Sequence, residues 1–393
     1  MRRLHPPPPG AERAYVAALL VLPAMGPHRL DQLVTAAGSA QDAWELLRRG
    51  RSNHPDLARA ELRGDREKLL SGWFVAARSI EPGELLHRHQ RHGVELLVRG
   101  AAGYPLRLQE DPEPPALLFA RGDPLALAAP TVAIIGTRRA TPYGLKLARS
   151  WAAELTEAGV AVVSGLASGI DHAAHEGALT VATAAWTAAP VAVVGSGLDV
   201  VYPRSSARLW NRVAEVGLLL SEAPLGTRPE PWRFPARNRI IAGLADLVVV
   251  VESHLQGGSL ITAEEATARN RGVFAVPGSV HSPASAGTNR LITEGSQVAT
   301  AVSDLLEALP SRPVRPHGVT NSNREETKPV ALDLEQLHLL EVLGWEGALL
   351  DDLVDRTGWS LEVTSAVLDE LLRRNLVTQS GLWFIQERDS SSH

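Results

Sequence analysis

Six short apolar runs recur every 26 to 31 residues: "VAII" (132–135), "VAVV" (160–163), "VAVV" (191–194), "LLL" (218–220), "LVVVV" (247–251) and "VFAV" (273–276). A strand with one face in water alternates apolar and polar residues. These runs do not alternate, so each is expected to be a strand buried on both faces. The intervals leave room for one helix between consecutive strands, the arrangement that builds a parallel sheet. The expected fold is therefore α/β: a doubly wound, extended Rossmann-like parallel sheet over residues 85–310.

The flanks read differently. Residues 11–75 space their apolar positions for helices and carry little strand signal, so residues 1–84 are expected to form an N-terminal helical domain. Within it, "LPAMGPHRL" (22–30) looks like the turn of a helix–hairpin–helix, but only Gly26 is present and Ala24 takes the other glycine's place. A structural helical turn is the preferred reading. The start, "MRRLHPPPPGAERAYVAALLVLPAMG", imitates a signal peptide, yet four prolines and Glu12-Arg13 separate its basic and apolar parts. It reads as a loose tail followed by an amphipathic helix. Residues 311–332, rich in Pro, Ser, Thr and Asn, are expected to be a linker. Residues 333–388 then give three short helices and a hairpin, "LVTQSGLWFIQ", which is the pattern of a winged helix.

Composition excludes several kinds of chemistry. The chain has no cysteine, which removes disulfides, thiol catalysis and thiolate zinc sites. No apolar stretch approaches the ~20 residues needed to span a bilayer. A cytoplasmic protein with no membrane partner is expected. The net charge of −5 argues against indiscriminate coating of polyanions, though not against a local basic groove.

In a doubly wound sheet, ligands bind beyond the C-terminal ends of the strands, where helix N-termini present free N–H groups. The segments there are "GTRRATPYG" (136–144), "SGLASGIDHAAHEG" (164–177), "GSGLDVVYPR" (195–204), "SEAPLGTRPEPWRFPARNR" (221–239) and "ESHLQGGSLITAEEA" (252–266). Nearly all combine glycine with a hydroxyl or a cation, as a phosphate-handling rim would. Ser164, Gly165 and Gly169 make a candidate anion nest, and Gly258 and Ser259 open a helix in the same way. "GLASG" is not a nucleophile elbow, and "GTRRAT" is not a dinucleotide fingerprint. His172 and His175, with Glu176, are considered as a metal site; lacking a third ligand, they read better as ordinary helix positions. Asp171 is expected to cap the helix or order the loop. No metal and no cofactor are expected.

The cations are more informative. Arg138, Arg139, Arg204, Arg208, Arg212, Arg228, Arg233, Arg237 and Arg239 cluster after strands of a net acidic chain. Tyr202, Trp210, Trp232 and Phe234 are interleaved with them, and base stacking on such rings contributes about 1–3 kcal/mol per base.

These segments, with "GTNRLITEG" (287–295) and "VPGSV" (276–280), occur in an order that resembles the bacterial DNA-processing protein DprA (Smf) family. The resemblance is close from about residue 100 to 300, with "YPLRLQEDPEPPALLFARGD" (104–123) as the lead-in. It implies a homodimer that binds single-stranded DNA, protects incoming DNA during natural transformation and helps load the RecA recombinase. It implies no catalytic residues. Carried over to this chain, the DNA phosphates are held by Gly136, Arg138 and Arg204, with Arg237, Asn238 and Arg239 lining the same groove. Some members carry a lysine where this chain has Pro231, and Arg233 stands nearby as its substitute. Leu291 and Ile292 match apolar positions of the dimer face. The N-terminal helices resemble the family's sterile-alpha-motif-like domain in pattern. The C-terminal segment, residues 333–388, holds eleven Asp and Glu against four Arg, a net −7 that suits a protein contact better than a DNA duplex. The rival reading is a nucleotide or phosphoribosyl hydrolase on a related scaffold, with Glu222 or Glu252 as its acid or base.

Overall fold

The computed structural model describes residues 9–62, 64–101, 103–182, 188–310, 334–343, 348–373, 377–380 and 383–386. It divides into two compact units, residues 1–317 and 318–393. The first begins with six helices among its described residues: α1 (Pro9–Leu20), α2 (Pro27–Ala37), α3 (Ala40–Arg49), α4 (Pro55–Arg59), α5 (Arg66–Ser79) and α6 (Pro82–Arg91). A lead-in of β1 (Glu95–Val98), α7 (Leu106–Gln109) and β2 (Leu117–Gly122) follows. The alternating part runs β3 (Thr131–Ile135), α8 (Pro142–Glu157), β4 (Ala161–Ser164), α9 (Ile170–Val181), β5 (Val191–Val194), α10 (Ala207–Val216), β6 (Leu218–Ser221) and α11 (Arg233–Leu244). It closes with β7 (Leu247–Val250), α12 (Gly258–Ala268), β8 (Gly272–Ala275), α13 (Ala286–Thr293), β9 (Gln297–Val298) and α14 (Val302–Ala308).

The six apolar runs are β3 to β8, and they lie in one sheet of order β1-β2-β6-β5-β4-β3-β7-β8-β9. From β6 to β9 all neighbours are parallel; the lead-in strands add two antiparallel pairs at one edge. The missing alternation has its cause in the two covered faces. Val132 and Ile134 pack under α8 and α9 with Trp151 and Ile170, whereas Ala133 and Ile135 pack on the other side with Ile240, Ile241 and Leu260. Every residue of β3 is buried.

The N-terminal helices share a core with the sheet edge, where Trp44 and Trp73 join a cluster containing Phe119, Val194 and Leu219. His89 of α6 donates from Nδ1 to the Leu85 carbonyl (2.8 Å), stacks on Phe119, and accepts the Leu225 N–H on Nε2 (3.4 Å). The turn at residues 22–30 is a packing element. Ala24 sits at φ +54°, Trp73 donates to the Pro23 carbonyl (2.8 Å) and Arg29 donates to that of Ala24. Trp210, expected at the rim, is instead 1 % exposed: it lies on the face of α10 turned toward this core.

The second unit contains α15 (Leu334–Leu343), β10 (Ala348–Leu349), α16 (Leu350–Thr357), α17 (Leu361–Arg373), β11 (Val377–Ser380) and β12 (Trp383–Gln386). Its strands form a sheet of order β10-β12-β11, and Leu339, Leu353, Leu368 and Leu371 make its core. The proline-rich linker, the first eight residues and the turn between β11 and β12 lie outside the described residues.

Candidate nucleic-acid interface

The order of strands reverses at β3. The chain winds outward through β4, β5 and β6, then returns to place β7 on the other side of β3. Loops leaving two such strands part toward opposite faces and open a crevice between them. A cleft of about 640 Å³ lies there, walled by residues 136–139 after β3 and by residues from His254 to Thr262 after β7. Phe234, Arg237 and Asn238 of α11 close it.

The walls are held by main-chain contacts. Thr137 donates its N–H to the Glu252 carbonyl (2.7 Å), and Ile170 donates to that of Thr137 (3.3 Å). The Glu252 carboxylate accepts the Thr141 N–H (2.8 Å) and the Thr141 hydroxyl, while that hydroxyl caps α8 by accepting the Gly144 N–H. Gly169 precedes α9 at φ +85°, and a β-carbon there would stand 2.3 Å from the Thr137 carbonyl oxygen. Its smallness therefore serves the close approach of the Thr137–Arg138 backbone.

Arg138 and Arg139 are exposed and carry no ion pair among the described residues. The Arg138 guanidinium lies 5.2 Å from the Phe234 ring centroid, and Phe234 is 5.4 Å from the half-exposed ring of Tyr202. Arg204 is exposed in the short turn Arg204–Ser206, outside the cleft lining. Arg233 pairs with Glu230 (3.4 Å) and covers one face of Trp232, which is 60 % exposed. Gly258 is exposed at the start of α12, open to the cleft.

Six expected contact residues, Ser164, Gly165, Arg237, Asn238, Arg239 and Ser259, make contacts within the fold. Arg237 is 7 % exposed and donates to the carbonyls of Gly165 (2.7 Å) and Val193. Burial lowers its pKa to about 10, against the charge of Asp171. Asp171 is itself buried and accepts the Gly165 N–H (3.2 Å); burial raises its pKa, while Arg237 opposes the rise. Gly165, Asp171 and Arg237 thus brace the cleft floor. Arg239 is neutralised by Glu222 (2.5 Å). Burial pushes the Glu222 carboxyl up and Arg239 pulls it down. Ser164 is fully buried, its hydroxyl donating to the Ile134 carbonyl (2.7 Å). Ser259 lines the cleft, but its hydroxyl donates to Ser253 (2.9 Å). Asn238 reaches the Gly258 carbonyl (3.4 Å) and so links α11 to α12.

His175 is fully buried on α9, and burial drives its imidazole down to about 3, against the pull of the Ser164 backbone. His172 contacts Ser206 (3.4 Å) and Glu176 (3.6 Å). Among the described residues no three His, Asp or Glu side chains group as metal ligands would. Leu291 is 8 % exposed and belongs to the core beneath the sheet, with Ile292 half-buried beside it. The cleft also takes in Thr137, Ala167, His254, Gln256 and Thr262, which sequence reading did not single out. Their signal was position alone, since all follow strands.

The model of the family described as DNA recombination-mediator protein A matches residues 95–310, more than half the chain. The chain belongs to this family. The match begins with β1 and ends just beyond α14, so the DprA-family segment is the whole sheet with its helices. Protein Smf of Synechocystis is 34% identical over 78% of this chain and 75% of its own length. DNA processing protein DprA of Bacillus subtilis is 37% identical over 59% of this chain and 76% of its own. The X-ray structure of DNA processing protein A from Streptococcus pneumoniae superimposes with a TM-score of 0.63 at 30% identity, covering 77% of this chain and 99% of that one.

Proposed function

We propose that this DprA-family chain binds single-stranded DNA in the β3–β7 cleft and hands it to a RecA recombinase, protecting incoming DNA during natural transformation. The observation that carries this reading is the pair of exposed guanidiniums, Arg138 and Arg139, without an ion pair among the described residues, with Arg138 over the Phe234 ring that neighbours Tyr202. Cations beside a cleft attract phosphates without regard to sequence. A ring face in the same cleft stacks only on a base already out of a helix, which selects single strands over duplexes. We place the protein in the cytoplasm; no helix of the described residues is long and apolar enough to cross a membrane.

We also propose a homodimer through the side of α13. Arg290 donates to the Leu255 carbonyl (3.4 Å), bringing exposed Leu255 to the helix that carries half-buried Ile292. The acidic C-terminal unit is proposed as a winged helix that contacts protein.

A hydrolase needs a carboxylate free to move a proton. The Glu252 oxygens are occupied by Thr141, and Glu222 is paired with Arg239. The reading is tested by fluorescence anisotropy with single-stranded and duplex oligonucleotides of one sequence. Tighter binding of the single strand is expected, and equal affinity would contradict it. Incubation with RecA and a long single strand should accelerate filament nucleation. Turnover of nucleoside mono- or triphosphates with magnesium would favour the hydrolase.

A further inference from the structure

A second hollow, about 430 Å³, lies beyond the Arg138–Arg139 step, between α8, the start of α9 and the turn at Ser205 and Ser206. Arg138 lines this hollow, the main cleft and the small recess under Tyr202, so the three share one cationic divider. On the far wall Arg149 of α8 pairs with Glu176 of α9, and His172 lies 3.6 Å from the same carboxylate. The hollow therefore holds three arginines against one glutamate. Arg149 and Glu176 are about half exposed, at 48% and 41%, so their pairing is open to water and to competing anions. The two helices are held close at this point: a β-carbon on Gly177 would stand 2.0 Å from the Arg149 carbonyl oxygen. The guanidinium is thus presented from a fixed backbone.

We infer that this hollow is a second phosphate subsite for the strand whose base enters the main cleft. Its phosphodiester displaces Glu176 from Arg149. The inference rests on the proposed single-strand binding and adds to it a path: from the Phe234 ring, over Arg138 and Arg139, and along the groove between α8 and α9. Glu176 acts there as an internal anion that occupies Arg149 until a phosphate arrives.

The test compares the full chain with Arg149→Ala and Glu176→Gln on oligothymidylates of about 4 and about 16 nucleotides. For Arg149→Ala, binding of the short oligomer is expected to be unchanged. The long one should weaken roughly three- to tenfold, with the salt slope falling by about 0.7, the loss of one phosphate contact. Glu176→Gln should strengthen the long oligomer a few-fold and leave the short one as it was, because it removes the competitor without removing the cation. Equal weakening of both oligomers by Arg149→Ala, or weaker long-oligomer binding by Glu176→Gln, would overturn the subsite. So would no change in either variant while the parent binds the long oligomer. A parent that binds neither oligomer would instead overturn the reading of the main cleft. Inorganic phosphate alone should leave the melting temperature unchanged; a phosphate-induced rise lost in Arg149→Ala would indicate an autonomous anion site and contradict a strand path.

Discussion

Arg138 and Arg237 line the same cleft, yet the direction of their donors gives them different roles. Arg138 is exposed and its guanidinium has no carboxylate partner among the described residues, so Arg138→Ala should weaken single-strand binding without changing stability. Arg237→Ala should act through the fold. It leaves the buried carbonyls of Gly165 and Val193 unpaired and removes the charge that offsets burial of Asp171. A loss of about 2–4 kcal/mol is expected in chemical denaturation. An Arg237→Ala protein as stable as its parent would contradict the brace. His175 makes a separate prediction about acid. Its pKa is about 3 when folded, below the ordinary 6.5 of an unfolded chain. Its contribution is complete above pH 6.5; as pH falls, the unfolded chain takes the proton first and stability declines by up to about 1.4 kcal/mol per unit. Denaturation of His175→Asn at a series of pH values should show a shallower acid limb. An identical limb would place the acid sensitivity in other groups.

At the scale of elements, the loop between β3 and α8 is shaped by the start of α9. Gly169→Val would drive a side chain into the carbonyl of Thr137 and the backbone of Arg138. The outcome expected is a loss of single-strand binding of tenfold or more, with faster hydrogen exchange of the 137–139 amides. Binding at the parent's level would show that the loop tolerates the displacement. The strands were legible in the sequence because burial on two faces leaves a local mark, an apolar run without alternation. The roles of the loop cations were not. Arg239 meets Glu222 from 17 residues away, and Arg237 meets the Val193 and Gly165 carbonyls from 44 and 72. Only the fold sets which guanidiniums are consumed in this way. Trp210 has the same cause: an aromatic next to arginines in the chain is turned inward by the helix that carries it.

Over the whole molecule, charge is unevenly distributed: residues 333–388 carry −7 and the remainder +2, while the DprA-family segment 95–310 is itself net −3, so a basic cleft there is a local property of its loops and not of its sum. Self-association should separate the two apolar residues of α13. Ile292→Arg is expected to give a folded monomer in light scattering, whereas Leu291→Arg, placed in the core, should destabilise the chain. An intact dimer in Ile292→Arg would remove that side of α13 from the interface. The central claim is that the strand's phosphates are held by Arg138 and Arg139 at the switch point of the sheet. Its most direct measurement is the salt dependence of single-strand affinity for the parent and for the double variant Arg138→Ala/Arg139→Ala. The slope of log affinity against log salt should fall by about 1.4, two contacts at about 0.7 each, with the melting temperature preserved. An unchanged slope in a folded double variant would contradict it.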